Sequence, residues 1–255
     1  MSVELFHRLE GEGTPIVVLH GLFGSADNWG TIGRSLAADH QVVLADARDH
    51  GRSPHTDEVT YPLMAEDVHA LVTKLGLRDI VLVGHSMGGK IAMTFAQRWP
   101  ELLKHLVVID IGPREYSMDN QAEIIAALLD SDLQSKRSRA EVEAFLATRI
   151  PEPGVVAFLM KSLYWKEPEV LGWRFNVPVL ARDIVNIRKP IDSTVVKVPT
   201  LFIRGGKSDY IQREDLPALR EQFPDSKVET IDFAGHWVQA QAPDEVLALI
   251  QQVAG

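Results

Sequence analysis

Two glycines bracket a serine in Gly84-His85-Ser86-Met87-Gly88, the spacing that a serine nucleophile on a tight strand-to-helix turn requires. On such a turn the side chain stands clear of the backbone, and a Cβ at either bracketing position would strike the neighbouring strand or helix. A serine hydroxyl attacks poorly near neutral pH unless a base takes its proton. His236, in Ala234-Gly235-His236-Trp237, is placed to be that base, after the last strand-like run and before the final helical one. His85 adjoins the serine but points elsewhere in the turn, and His7, His40, His69 and His105 read as surface or packing residues. His50 and His55 lie near Asp46 and Asp49 without a second histidine at ligand spacing, so no metal is expected.

An imidazole base needs a carboxylate to fix its tautomer and balance the imidazolium. Asp110 and Asp209 each close a strand-like run, and spacing alone does not choose between them. The tetrahedral intermediate needs two backbone N–H donors. Met87, directly after the serine, supplies one. His20-Gly21-Leu22-Phe23-Gly24 supplies the other, from Leu22 or, failing that, Phe23.

Elements able to bring these groups together are visible as short apolar runs at Ile16–Leu19, Val42–Ala45, Ile80–Val83 and Leu106–Ile109. None shows polar alternation, which suits strands buried on both faces of a parallel sheet. Helix-length segments separate them, at Tyr61–Leu75 and Met87–Trp99, so the chain reads as α/β. In such sheets the loops at the carboxyl ends of the strands meet along one edge. Between about Gly112 and Lys197 the strand pattern stops. Helical segments at Gln121–Leu129, Arg139–Arg149 and Val155–Leu163 are punctuated there by Pro151, Pro153, Pro168, Pro178 and Pro190. Strand character returns at Pro199–Ile203 and Lys227–Ile231, with helices at Asp215–Phe223 and Asp244–Val253. The expected organisation is a core of residues 1–112 and 197–255, with 113–196 inserted as a helical cap after the sixth core strand.

Composition narrows the chemistry. The 255 residues are 45% apolar and 24% charged, contain no cysteine and carry a net charge of −9. A cysteine nucleophile, a thiolate metal site and a disulfide framework are excluded. The acidic balance, with no long basic tract, argues against nucleic acid or an anionic membrane as partner. No apolar stretch of about 18 residues is present to span a bilayer. The opening MSVELFHRLEGEG lacks the features of a secretory signal, so the expected location is cytoplasmic.

Taken together, His20-Gly21, the stretch Asp46 to Ser53, Gly84 to Gly89 and Gly235-His236-Trp237 resemble the α/β-hydrolase superfamily over essentially the whole chain, serine early and histidine late. The usual third motif has glycine where this chain has Asp49, a departure expected to affect only a structural turn. Finer features resemble the YbfF-type bacterial esterases and their mitochondrial α/β-hydrolase relatives: His20 to Ser25, Asn28-Trp29, Gly84 to Lys90, Asp110 to Pro113 and Trp173 to Asn176. The resemblance implies an α/β-hydrolase fold, with a mostly parallel central sheet flanked by helices and an inserted lid. It also implies that the acid is Asp110, with Asp209 as the alternative, that no cofactor is needed, and that the substrate is a small-molecule acyl ester or thioester.

The expected activity is therefore that of a serine carboxylesterase or thioesterase working through an acyl-enzyme. The same motifs would serve a carbon–carbon bond hydrolase, a perhydrolase or an acyl transferase to alcohols, and a ligand receptor on a retained hydrolase shell is the alternative of another class. Phe23, Trp165, Trp173, Phe175, Leu180 and Trp237 are candidates to line the acyl pocket. Arg114 and Arg174 are candidates to meet a carboxylate or phosphate on the substrate. Nothing in the sequence indicates an oligomeric state.

Overall fold

In a computed structural model of the chain, which describes residues 1–117 and 119–255, seven strands form one sheet. The first part of the chain runs β1 (His7–Glu10), β2 (Thr14–Leu19), α1 (Gly30–Leu36), β3 (His40–Ala45), α2 (Tyr61–Lys74), β4 (Ile80–His85), α3 (Met87–Arg98) and β5 (Leu103–Ile109). The insertion carries α4 (Asp119–Leu129), α5 (Arg139–Ala147), α6 (Pro153–Met160), a hairpin of β6 (Leu163–Glu167) and β7 (Val170–Trp173), and α7 (Val177–Arg188). The chain then returns through β8 (Thr200–Gly205), α8 (Leu216–Gln222), β9 (Ser226–Ile231), α9 (Val238–Gln241) and α10 (Pro243–Ala254).

Strand order is β1-β3-β2-β4-β5-β8-β9. All neighbours are parallel except the edge pair β1 and β3. The unbroken apolar runs follow from this layout, because successive side chains point to opposite faces and both faces are covered. Val17, Leu19, Leu82, Leu106 and Val108 pack on the face that holds α2, α3 and the insertion. Ile16, Val18, Val83, Val107 and Ile109 pack on the other, against α1 and α10. The insertion shares the first of these two cores: Ile125, Leu128, Val142, Leu159 and Leu180 belong to the same cluster as the α2 and α3 side chains.

Two expectations about the insertion need correction. The strand before Asp110 is the fifth of this sheet in chain order, not the sixth. The insertion is also not wholly helical, since aromatic and aliphatic residues on either side of Pro168 pair as an antiparallel hairpin. Pro153 and Pro178 open α6 and α7, positions where the missing N–H has no helical partner to lose. No helix among the described residues is long and apolar enough to cross a membrane.

The stretch Asp46 to Ser53 is scaffold. Arg48 and Asp67 are buried and meet in a two-point pair at 2.6 and 2.8 Å. Burial raises the Asp67 carboxyl despite the pull of Arg48. Removing one partner strands a buried charge, which typically costs about 3–5 kcal/mol. Asp67→Ala is therefore expected to lose about that much in urea unfolding, whereas Lys74→Ala, which breaks only the exposed pair with Glu4, should change stability by less than about 1 kcal/mol.

Candidate active site

Ser86 leaves β4 with φ 53° and ψ −120° and starts α3. A left-handed φ on a serine is strained, and the packing of the bracketing glycines holds it there. A Cβ on Gly84 would lie 2.2 Å from the Gly88 carbonyl oxygen, and one on Gly88 would lie 2.4 Å from the Leu19 carbonyl oxygen at the end of β2. Both distances are far inside van der Waals contact. The first turn of α3 therefore sits directly on β2 and β4, and the Ser86 side chain is forced outward.

The neighbouring strand β5 ends at the same level. The Ser86 amide donates to the Ile109 carbonyl at 3.0 Å, and the Asp110 amide donates to the Ile203 carbonyl of β8 at 2.8 Å. Asp110 also has a left-handed φ, 51°, and its side chain is fully buried. Its Oδ1 accepts from the Gly205 amide at 2.9 Å. Its Oδ2 accepts from His236 Nδ1 at 2.8 Å and from the Ser208 hydroxyl. On the far side of the ring, His236 Nε2 accepts from Ser86 Oγ at 3.0 Å.

Asp209 is elsewhere. It is exposed, its Oδ1 accepts from Gln212 Nε2 at 3.0 Å, and its carbonyl accepts from Arg114. The structure brings Ser86, His236 and Asp110 together and leaves Asp209 facing solvent. Ser208, one residue before Asp209, is a contact that spacing did not reveal. Its signal is the register Ile109↔Ile203, which sets the loop after β8 over Asp110, and register is not readable from a single chain.

The loop from His20 to Gly24 closes the other side of Ser86. His20 Nε2 accepts from the Ala47 amide at 3.0 Å, so its Nδ1–H is free to donate to the Gly21 carbonyl at 2.8 Å. Burial lowers the His20 pKa, keeping the ring neutral for that double role. The Asp46 carboxylate accepts from the amides of Ala26 and Arg52 at 2.6 and 2.7 Å. Phe23 takes φ 63°. Its carbonyl accepts from Ser162 Oγ at 3.2 Å. The Met87 amide, first in α3, has no helical carbonyl to bond. Leu22, Phe23 and Met87 all face the same cavity as Ser86 and His236.

That cavity opens to solvent. Its apolar wall comes from Ile111 after β5, Ile124 on α4, Val155, Phe158 and Leu159 on α6, and Ile187 on α7. Of the aromatic candidates, Phe23 and Trp237 line it. Trp173 and Phe175 do not, because they are buried and stacked on each other behind Phe23. Leu180 is likewise buried in the core. Trp165 is 47% exposed on β6. The two arginines also lie outside the cavity lining: Arg114 is paired with Asp215 at 3.1 Å, and Arg174 lies over the Tyr164 ring.

Lys90 is the one lysine or arginine among the described residues lining the cavity. Its ammonium donates to the carbonyls of Arg114 at 2.7 Å and of Lys189 at 2.5 Å, with Arg188 further off at 3.4 Å. Those carbonyls belong to the two chain segments that join the insertion to the core. Burial pulls the Lys90 pKa down to about 7. Asp49 performs a matching task. Its carboxylate accepts from the Thr56 amide, the Thr56 hydroxyl and Asn176 Nδ2, and its carbonyl accepts from the Asn176 amide. The departure at Asp49 therefore does more than shape a turn, for it fastens the start of α7 to the core.

A family model for the alpha/beta hydrolase fold matches residues 14–152. "Esterase YbfF" of Escherichia coli (strain K12) is 37% identical over 239 residues, covering 94% of this chain and 92% of its own. The "sn-1-specific diacylglycerol lipase ABHD11" of Mus musculus is 35% identical over 255 residues, covering 95% of this chain and 82% of its own. Among solved structures, a "Marine microorganism esterase" superimposes with a TM-score of 0.96 at 40% identity, over 99% of this chain and 100% of that one. With its strained serine turn, its histidine loop and these likenesses, the chain belongs to the α/β-hydrolase superfamily and resembles within it the YbfF- and ABHD11-type esterases.

Proposed function

We propose that the protein hydrolyses carboxylic esters of small, uncharged acyl groups through a serine acyl-enzyme. The observation that carries this reading is the unbroken line from Asp110 Oδ2 through His236 to Ser86 Oγ, with links of 2.8 and 3.0 Å, at the wall of an apolar cavity. His236 takes the Ser86 proton as Oγ bonds to the carbonyl carbon, and Asp110 keeps the other ring nitrogen protonated and balances the imidazolium. The carbonyl oxygen, now negative, is received by the amides of Met87 and Leu22, with Phe23 the adjacent alternative. Losing one such donor typically costs about 2.7–4 kcal/mol of transition-state stabilisation. His236 then gives its proton to the departing alkoxide. Water attacks the acyl carbon while giving a proton to His236, which returns it to Ser86 Oγ as the Ser86–acyl bond breaks and the acid leaves.

An uncharged acyl group follows from the lining. Lys90, the one lysine or arginine among the described lining residues, is committed to backbone carbonyls, and Arg114 is committed to Asp215. The expected preference of Arg114 for an acidic substrate tail is therefore not part of this reading. The relatives named as esterases support the reaction class.

A series of p-nitrophenyl esters from acetyl to palmitoyl, with the matching CoA esters, tests the proposal. Turnover of p-nitrophenyl esters is expected, and Arg114→Ala should alter KM for neutral and CoA esters alike. Failure to turn over any ester, together with failure of Ser86 to react with a fluorophosphonate, would refute it in favour of a ligand-binding shell.

Asp110→Asn should lower kcat by about 10⁴, the usual consequence of a base left in the wrong tautomer, while Asp209→Asn stays within about twofold. A collapse of the Asp209 variant instead would reverse the assignment of the acid. Ser208→Ala removes a hydrogen bond to a carboxylate, a contact worth about 1.5–3 kcal/mol. Its kcat/KM is expected to fall roughly tenfold in the same assay.

A further inference from the structure

We infer that Tyr210 is a positioning residue for the reaction: its ring fixes the plane of the His236 imidazole, favours the imidazolium over the neutral ring, and ties that plane to helix α4 of the cap through Gln121. The inference rests on the serine-esterase reading above and adds a group that neither the motifs nor the triad geometry assigns.

The two rings lie face to face, with centroids 3.8 Å apart and planes 16° from parallel. That separation places the imidazole well within cation–π range of the Tyr210 ring face. A cation over the face of a phenol ring is attracted. The observed stack therefore suits the imidazolium that forms as Ser86 loses its proton.

Tyr210 is itself held from three directions. Its hydroxyl accepts from Gln121 Nε2 at 2.8 Å, its carbonyl accepts from the Tyr116 hydroxyl at 2.7 Å, and its amide donates to Ser208 Oγ at 3.3 Å. Tyr116 in turn accepts from the Gly112 amide at 2.7 Å. Gln121, Tyr116 and Tyr210 all line the cavity. A change in the seating of α4 is thus transmitted to the face of the base through one hydrogen bond and one stack. The His85 ring lies 4.9 Å from His236 at 40°, and its Nε2–H donates to the His236 carbonyl at 2.8 Å, which secures the loop but leaves the ring plane to Tyr210.

The titratable groups facing the imidazole are Asp110 at the end of β5, His85 at the end of β4, Tyr210 itself and Tyr116 behind it. Burial holds His85 at about 3 and pushes both phenols up, so neither His85 nor the phenols change charge near neutrality. Lys90 does titrate there, at about 7, but lies beyond the Tyr116 ring. The decisive readout is therefore the NMR titration of the His236 ring in the free protein, taken alongside the rate.

Tyr210→Leu removes the stack, and Tyr210→Phe keeps the ring but loses the Gln121 bond. The leucine variant is expected to move the His236 titration to lower pH by about half a unit. The sign follows because a group that favours the imidazolium raises its pKa, so the acid limb of kcat/KM shifts down with it. Its kcat should fall about threefold or more, with KM within about twofold. The phenylalanine variant should titrate like wild type. Tyr210→Met substitutes for leucine if that variant fails to fold. A leucine variant with the wild-type titration, or a phenylalanine variant shifted as far as leucine, overturns the inference. If wild type turns over no ester, the serine-esterase reading fails, and the titration arm still decides the stack.

Discussion

The bond between Asp110 and His236 is the contact on which the rest of the molecule depends. It joins a fully buried carboxylate to a ring that is one-quarter exposed, and it works only because three parallel strands end at one level. β4 delivers Ser86, β5 delivers Asp110, and β8 delivers the loop that carries Ser208 and Tyr210. Burying a carboxylate is costly unless its charge is met by donors. Here the Gly205 amide, the Ser208 hydroxyl and the His236 N–H meet it. The same low-dielectric surroundings that make the charge costly make its hold on the imidazole strong.

The cap is fixed to that edge by polar contacts of long sequence separation. Lys90 holds both of its joining segments, Asp49 holds the start of α7, and Ser162 reaches the carbonyl of Phe23. Along α7, Asp183 accepts from the Val59 amide, and the Ile187 carbonyl accepts from the Tyr61 hydroxyl. These contacts, together with the apolar core that the insertion shares with α2 and α3, make α7 and the hairpin part of the body of the protein. The apolar wall of the cavity comes mainly from α4 and α6, which meet the site through short side-chain contacts such as that of Gln121 with Tyr210.

Left-handed backbone occurs beside the chemistry as well as away from the cavity, at Asp79, Asp132 and Glu169. Phe23, Asp49, Ser86 and Asp110 all take left-handed φ without being glycine. Each is locked by neighbours: Ser86 by the close packing of Gly84 and Gly88, Asp110 by its own hydrogen bonds, Phe23 by the cap and Asp49 by Thr56 and Asn176. Such residues persist only where surrounding structure over-determines them, and the result is a site whose donors and acceptors are arranged before substrate arrives.

The nucleophile and the base were legible in the chain because their requirements are local. Only glycine fits beside a serine turned this sharply between strand and helix, and an apolar run buried on both faces looks alike wherever it occurs. The prolines that open α6 and α7 were visible for the same reason, though not the hairpin between them. Spacing left Asp110 and Asp209 level, since both follow strands and the register of β5 against β8 decides which carboxylate faces inward. Ser208 and Tyr210 were hidden because they act across that register. The aromatic residues of the insertion could be recognised as apolar, yet their direction belongs to cap packing, which sent Trp173 and Phe175 into the core, left Trp165 in solvent and gave the cavity wall to Ile124 of α4 and to Val155, Phe158 and Leu159 of α6. Covalent neighbours set what a residue can do, and packing between distant segments sets what it faces.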